Sequence, residues 1–525
     1  MAGPVEIYDT TLRDGAQLEG LSLTVEDKMK IALLLDELGV DYIEGGWPGA
    51  LPKDTEFFAR AAKELDLETS VLVAFGSTCR PNTAADQDQQ LEALLDAGTN
   101  VICIVAKSWD YHVTEALLVD LDEGVRMVKD SVAFLKRADK RVFVDAEHFF
   151  DGYLANREFA LAVLQAAIDA GAERVILCDT NGGMIPDDIH RIVSEVALAI
   201  PEAHLGIHAH NDSGCAVANT LAAVDAGAIQ AQGCVNGYGE RTGNADLCSV
   251  IPDLVFKKDL PALSQSRLEK LTPISHHIAE IANLSLDPHK PYVGASAFAH
   301  KAGLHTSAIA RRPDAYEHIN PDRVGNTTRM VVSEMAGKST IIAKAKEQGI
   351  DFDESLAATL LVEVKDMENR GYQIEAADGT FELMVRRAMG WQQDFFEVES
   401  FRVFIERRPG EDLDVVSEAT IKVHVGGERV VATREGNGPV NAIDQALRAA
   451  LAPTYPEIDH IHLTDYRVRV LDPGAGTGAV TRVLLEQSNG IDAWGTIGVH
   501  ENIIEASWEA VVDGLVVGLL RERQE

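Results

Sequence analysis

Basic residues are scarce in this chain. Lysine and arginine together number 47 against 83 aspartates and glutamates, which leaves a net charge of −36 at neutral pH. A surface of that sign repels the backbone of nucleic acid and the anionic face of a membrane, so neither is expected as a partner. It leaves room for a small anionic substrate, because a local group of metal and arginine overrides a distant field. Solubility is the plainer reading of the charge, and a salt-rich cytoplasm is another. Cysteine is scarce too. The six (Cys79, Cys103, Cys178, Cys215, Cys234 and Cys248) form no Cys-x-x-Cys pair, and most lie in apolar runs. That pattern reads as buried free thiols in a reducing cytosol. No apolar run approaches the length of a membrane span. Met1-Ala2-Gly3-Pro4 leads into a strand-like segment without a basic, apolar leader, so a cytoplasmic protein is expected. The turn after the first strand lacks the Gly-x-Gly-x-x-Gly pattern, which weakens a dinucleotide-binding fold.

The chain has 525 residues, 46% apolar and 25% charged. That is the balance of a globular protein, and the length predicts two or three domains. Over residues 1–255, eight short apolar runs recur at about the spacing of a βα unit: 5–8, 40–43, 71–75, 101–105, 141–144, 174–178, 205–207 and 229–235. Helix-like stretches separate them. Residues 24–38 carry Leu33, Leu34 and Leu38 at helical spacing and stop at Gly39; residues 159–170 stop at Gly171. The alternation predicts an α/β fold, a (β/α)8 TIM barrel, with a doubly wound open sheet as the runner-up.

From 256 to 396 the rhythm changes. Helical stretches at 268–283, 354–371 and 380–390 flank a loop-rich segment containing His300-Lys301-Ala302-Gly303-Leu304-His305 and Ala315-Tyr316-Glu317-His318, which predicts a helical linker subdomain. From 397 to 525, β-branched or alternating runs at 401–406, 419–425, 428–434, 466–471 and 479–486 accompany helices over 440–451 and 501–521. Strands followed by a helix, twice, predict a duplicated C-terminal α+β regulatory domain. In Gly436-Asn437-Gly438-Pro439, Asn437 and Gly438 precede a helix N-terminus that suits a carboxylate, which makes them candidate effector-binding residues.

In a TIM barrel, function sits where strands end. Arg13 and Asp14 follow the first strand and Glu44 the second. Asp145, Glu147 and His148 follow the fifth, and Asp179, Thr180 and Asn181 the sixth. His208 and His210 end the seventh, and Gly237-Tyr238-Gly239-Glu240-Arg241-Thr242-Gly243-Asn244 follows the eighth. A scaffold needs none of these groups there, and their convergence is the pattern of an active site. His208 and His210 project to one face of a strand. Alone, such a pair is as readily structural as functional. With Asp14 it forms an N2O donor set, to which Asn244 adds a carbonyl oxygen. That set, with open positions and no thiolate, suits Mg2+, Mn2+ or Zn2+ in a catalytic role. A 2-oxo acid could chelate such an ion through its ketone and carboxylate, while Arg13 stabilised an alkoxide or enolate oxygen. A salt bridge to Glu44 is the plainer role for Arg13, and both can hold at once.

Asp9-Thr10-Thr11-Leu12-Arg13-Asp14-Gly15-Ala16-Gln17, His208-Ala209-His210-Asn211-Asp212 and the Gly237 to Asn244 string resemble the signatures of the Claisen-condensing 2-isopropylmalate, homocitrate and citramalate synthases, among the DRE-type metallolyase barrels. The likeness runs through all three regions of the chain. Ile43-Glu44-Gly45-Gly46-Trp47-Pro48-Gly49, Ala74-Phe75-Gly76-Ser77-Thr78, Lys107-Ser108-Trp109-Asp110, Asp145-Ala146-Glu147-His148-Phe149-Phe150-Asp151-Gly152 and Cys178-Asp179-Thr180-Asn181-Gly182-Gly183 are similar to its citramalate-forming branch. The resemblance implies condensation of acetyl-CoA with pyruvate and hydrolysis of the thioester to (R)-citramalate and CoA, on the way to isoleucine. It implies Asp14, His208 and His210 as metal ligands, with Asn244 as a weaker one, and Arg13 against the 2-oxo acid oxygen. Asp145 and Thr180 bind substrate, Thr180 through the carboxylate, and Glu147 is a carboxylate near the substrate that could position the hydrolytic water. His305 is the base, reaching in from the partner subunit's linker with Tyr316 beside it, which requires a homodimer. Isoleucine is the expected inhibitor at the C-terminal domain. Isopropylmalate synthases of the family carry a His-Phe-Tyr-like segment after strand four. Here the run is Val105-Ala106-Lys107-Ser108-Trp109, which argues against 2-oxoisovalerate. The alternatives are a synthase for a longer 2-oxo acid (2-isopropylmalate or homocitrate), an acyl-CoA or aldol-type lyase on the same barrel, and an amino-acid sensor with a degenerate barrel. The intact ligand set opposes the last.

Overall fold

A computed structural model describes residues 3–301, 305, 308–309, 311–391, 395–407 and 415–523. Eight parallel strands close into a barrel: β1 (Glu6–Asp9), β2 (Tyr42–Gly46), β3 (Val71–Ser77), β4 (Val101–Lys107), β5 (Arg141–Glu147), β6 (Arg174–Asp179), β7 (Leu205–Ala209) and β8 (Gln230–Gly233). Closure pairs Tyr8 of β1 with Gln232 of β8 and Asp9 with Gly233. The TIM barrel expected from the spacing therefore forms, and the open sheet is excluded.

Each strand sits on its apolar run, but most extend further toward the C-terminal end. β5 continues through Asp145 to Glu147, and β7 takes in His208. The reason is that Glu44, Asp145 and His208 are buried although polar. Reading apolar runs ends a strand at its first polar residue. These residues find partners inside the barrel, so the ladder continues. Alternation along the strands sorts the rest. Tyr8, Tyr42, Val73, Phe75, Val101, Cys103, Phe143, Ile176 and Cys178 form one interior cluster. Ile7, Ile43, Ala74, Ile102, Val144, Leu177 and Ile207 join the larger core shared with the helices. Strands buried on both faces read as near-continuous apolar runs, which is what made them visible.

Helix α1 (Val25–Leu38) starts where the Thr24 hydroxyl accepts from the Asp27 backbone N–H at 3.1 Å and stops at Gly39, whose φ is 88°. Its buried face includes Ile31, Ala32, Leu35, Leu38 and, against expectation for its type, Lys28. The Lys28 ammonium donates to the Gly45 carbonyl at 3.0 Å and pairs with Asp54 of α2 (Pro52–Glu64). Asp54 also accepts from the Trp47 backbone N–H at 2.8 Å. A Cβ at Gly46, whose φ is 140°, would lie 2.5 Å from that carboxylate, so only glycine lets the chain leave β2 there.

The chain divides into two compact units, Met1–Phe298 with Glu317–Thr328, and Ala299–Tyr316 with Arg329–Glu525. In the second, β9 (Ala299–His300) pairs with β10 (Arg329–Met330), and helices α3 (Lys338–Glu347), α4 (Ala357–Asn369) and α5 (Asp378–Ala388) follow. The sheet β11 (Phe396–Arg407), β12 (Val415–Val425), β13 (Glu428–Gly436) is closed off by α6 (Pro439–Leu451). The sheet β14 (His462–Val470), β15 (Thr481–Ser488), β16 (Ala493–His500) is followed by α7 (Ile503–Glu522). The strands-then-helix pattern is thus present twice, with three strands each time. β16 is not evident from sequence because two glycines interrupt it. A Cβ at Gly495 would lie 2.4 Å from the Ala376 carbonyl oxygen, and one at Gly498 would lie 2.0 Å from that of Ala506, so close backbone packing demands them. No helix among the described residues is long and apolar enough to cross a membrane, and the six cysteines are free thiols.

Removing the Lys28 ammonium leaves Asp54 buried without its counter-charge. Lys28→Met is expected to lower the unfolding free energy by about 3–5 kcal/mol, read from a urea titration followed by tryptophan fluorescence. A loss under about 1 kcal/mol, no more than an exposed pair contributes, would show that the pair is dispensable.

Candidate metal and substrate site

Asp14, His208, His210 and Asn244 meet at the C-terminal mouth of the barrel. The segment after β1 folds back on itself, with the N–H groups of Arg13 and Gly15 both donating to the Thr10 carbonyl at 3.1 and 3.0 Å, and this turn presents Asp14. His208 lies in β7. His210 follows directly after that strand, and its β-bridge with Asn244 brings the loop after β8 alongside. Asp14 Oδ2 lies 3.5 Å from His208 Nε2 and 3.8 Å from His210 Nε2. One ligand atom from each of the three falls within 4.8 Å of the others, and all three residues are buried.

Buried polar atoms are nearly always hydrogen bonded. Here Asp14 Oδ1, His210 Nδ1 and Asn244 Oδ1 are buried and have no hydrogen-bond partner. The Asn244 amide nitrogen faces Thr10 Oγ1 at 3.4 Å and Cys234 Sγ at 3.3 Å, which leaves the carbonyl oxygen as the free end. His208 Nδ1 is engaged by Gln232 Oε1 at 3.0 Å, so Nε2 is its available nitrogen. Two imidazoles, a carboxylate and an amide oxygen, with unspent bonding capacity and no thiolate, fit a divalent cation such as Mg2+, Mn2+ or Zn2+.

The charges around the cluster are coupled. Burial opposes ionisation of Asp14, yet Arg13 and the two histidines hold its carboxyl well below the usual carboxylate range. Burial also works against charge on His208, but the Asp14 carboxylate outweighs this and raises it above an ordinary imidazole. His210, desolvated and next to His208, falls to about 4.

Arg13 is held on three sides. Its Nε donates to Glu44 Oε1 at 2.5 Å, its Nη1 donates to Asp14 at 3.0 Å, and its guanidinium lies 3.9 Å from the centre of the Phe75 ring. The Tyr8 hydroxyl donates to the second Glu44 oxygen at 2.6 Å. The expected salt bridge to Glu44 therefore exists, and it orients the guanidinium beside Asp14. Glu147, at the end of β5, is ion-paired with Lys107 at the end of β4. Thr180 Oγ1 accepts from the His148 backbone N–H at 2.8 Å. Arg241, paired with Asp212, donates to the Thr180 carbonyl at 2.7 Å. Asp145 is buried and accepts from Gln232 Nε2 at 3.3 Å and from Cys103 Sγ at 3.2 Å.

The remaining candidates belong to the second unit. His305 and Tyr316 stack there, with ring centres 4.1 Å apart; Gly303 and Leu304 of the same motif lie outside the described residues. Asn437 and Gly438 precede α6, and the Asn437 N–H donates to Asn441 Oδ1 at 3.3 Å. The structure adds Tyr8, Phe75, Cys103, Lys107 and Gln232 to the barrel set. Gln232 left a trace in the sequence: Gln230 and Gln232 alternate through an otherwise apolar run, so both face one side of β8.

The sequence model of the HMGL-like family matches residues 4–278, more than half of the chain. The chain belongs to the HMGL-like family. Beyond that family's barrel, the model called homocitrate synthase post-HMGL domain-like matches residues 292–372, and that of the LeuA allosteric (dimerisation) domain matches 375–518. Among family relatives, the chain is 55% identical to the (R)-citramalate synthase of Streptomyces coelicolor, over 98% of this chain and 96% of that one. It is 52% identical to that of Synechocystis, over 98% and 96%, and 48% identical to that of Aquifex aeolicus, over 100% and 99%.

Asp14 is the anionic member of the candidate ligand set. Asp14→Asn is expected to weaken Mn2+ binding by more than the ~10–100-fold typical of an outer-shell partner. Because His208 holds its proton more tightly than a free imidazole, cation binding displaces that proton. Affinity should therefore fall as pH drops through the raised His208 pKa and recover above it. Calorimetric titrations across pH in buffers of different ionisation enthalpy measure both effects. Affinity independent of pH would overturn this account.

Proposed function

We propose that the chain is an (R)-citramalate synthase, condensing acetyl-CoA with pyruvate and hydrolysing the thioester to (R)-citramalate and CoA. Full-length identity of 48–55% to relatives of that name carries the reading, and the intact Asp14, His208 and His210 set supports it. A divalent cation held by those three residues and Asn244 supplies Lewis acidity toward the ketone and carboxylate oxygens of the 2-oxo acid. Arg13, clamped between Glu44 and Phe75, places fixed positive charge where the ketone oxygen becomes negative. The Thr180 hydroxyl accepts from the His148 N–H, which leaves its own proton for the substrate carboxylate. His305, braced by the Tyr316 ring, removes a proton from the acetyl methyl group, a contribution of ~10²–10⁴-fold for a positioned base. The resulting carbanion attacks the ketone carbon. Glu147, held by Lys107, positions the water that cleaves the thioester.

The division of labour we propose is a catalytic barrel over 1–255, a linker over 256–396 that carries His305 and Tyr316, and a regulatory and dimerisation domain over 397–525. The matches at 4–278, 292–372 and 375–518 support the three-part order, though the first runs past residue 255 and the last begins before residue 397. His305 acts across a homodimer, in the cytoplasm. Isoleucine inhibits through the C-terminal domain at the turn of Asn437 and Gly438, a reading supported by the allosteric character of the matched domain.

The reaction is tested with purified protein, Mn2+ or Mg2+, acetyl-CoA and a panel of 2-oxo acids, following free CoA thiol. Pyruvate is expected to give the highest kcat/KM, with detectable turnover of 2-oxobutanoate, since one methylene discriminates by only ~1–3 kcal/mol. No thiol release with any acid would sink the synthase reading. Faster release with 2-oxoisovalerate would sink the choice of pyruvate alone. For inhibition, Gly438 has open space around its Cβ position, so Gly438→Asp fits and puts a fixed carboxylate at the helix start. The variant should keep uninhibited kcat/KM and lose isoleucine sensitivity by about tenfold, the worth of ~1.4 kcal/mol; unchanged inhibition would remove the turn from the effector site.

A further inference from the structure

A column of hydrogen bonds runs up the barrel interior and ends on a metal ligand. At its base, Arg174 forks onto Glu6, with Nη2 2.8 Å from Oε1 and Nε 3.1 Å from Oε2. Glu6 Oε2 also accepts from Gln230 Nε2 at 3.1 Å. Gln230 Oε1 accepts from Gln232 Nε2 at 3.3 Å, and the same nitrogen donates to Asp145 Oδ1 at 3.3 Å. Gln232 Oε1 then faces His208 Nδ1 at 3.0 Å. Both glutamines are fully buried.

The direction of every bond follows from its ends. An ionised carboxylate only accepts, so Glu6 turns the Gln230 amide nitrogen toward itself and the oxygen away. That oxygen, with the carboxylate of Asp145, turns the Gln232 nitrogen the same way. Flipping Gln232 would set its carbonyl against two acceptors in a buried site, where an unmade hydrogen bond costs ~1–3 kcal/mol. The Gln232 oxygen left facing His208 requires a proton on Nδ1. A neutral imidazole protonated there has its lone pair on Nε2, the atom facing Asp14. Asp145 is thereby engaged from inside the barrel, with Cys103 as its other donor. Glu44, the third member of this buried group of potential ligands, has its oxygens taken by Arg13 and Tyr8, so the group is a set of supports and not a second metal site.

We infer that Gln232, aligned by Glu6 through Gln230 and by Asp145, is a positioning residue that sets the tautomer of His208 and so presents Nε2 to the cation. The inference rests on the reading that Asp14, His208 and His210 hold a divalent ion. Two measurements on the full chain test it. In the metal-free protein at pH 9, long-range 1H–15N spectra of 15N-histidine-labelled material, with His208 assigned by comparison with His208→Gln, should show the Nδ1–H tautomer. An Nε2–H tautomer would overturn the inference whatever the variants do. In calorimetric titrations with Mn2+, Gln232→Met, of similar length but unable to accept, should bind about 10–100-fold more weakly than the unaltered chain. A purely structural Gln232 would alter the unfolding midpoint and leave the affinity of the folded protein alone, so binding within twofold overturns the inference. Failure of the unaltered chain to bind Mn2+ or Zn2+ would instead overturn the metal reading beneath it.

Discussion

A buried charge needs a partner, and the barrel is arranged around that requirement. An ion taken from water into a protein interior costs several kcal/mol unless attraction and hydrogen bonds offset it. Lys28 meets Asp54, Arg174 meets Glu6, and Arg13 meets Glu44 while Tyr8 satisfies the far oxygen. The amides of Gln230, Gln232 and Asn244 thread between these pairs with their nitrogens engaged. Against this background Asp14, His210 and Asn244, gathered at one mouth of the barrel, each keep a buried atom without a hydrogen-bond partner. A single cation there would satisfy all three.

The same economy explains why the site is stiff. Arg13 cannot swing, because Glu44, Asp14 and the Phe75 face hold it from three directions. His208 cannot choose its proton freely, because a column that begins on an ion pair at the other end of the barrel dictates it. Electrostatic stabilisation of developing charge depends on such preorganisation, since groups already in place need not reorganise during the reaction. Membership of the HMGL-like family, and likeness to relatives called (R)-citramalate synthase, are the grounds for the proposal that this barrel holds a 2-oxo acid. The second unit holds the stacked His305 and Tyr316 and, separately, the duplicated strand-and-helix domain. Two glycines in the last strand of that domain are consequences of close packing against Ala376 and Ala506.

Much of this was legible in the residues. Eight apolar runs, each buried on both sides, marked the barrel strands. Two histidines on one strand face, with Asp14 after the first strand and Asn244 after the last, marked the candidate ligand set, because period-two geometry and strand order are local or topological facts. The tertiary structure decided what crosses the lumen. Periodicity reports which side of a strand is buried, but not which residue of a distant strand stands opposite. So the closure that sets β8 against β1, the extension of β5 and β7 through polar residues, and the engagement of Asp145 and Gln232 with each other were outside its reach. The observation that favours a metal-binding over a structural pair at His208 and His210 lay outside its reach as well. It is the set of atoms left without partners at that mouth, which exists only once the other partners have been placed.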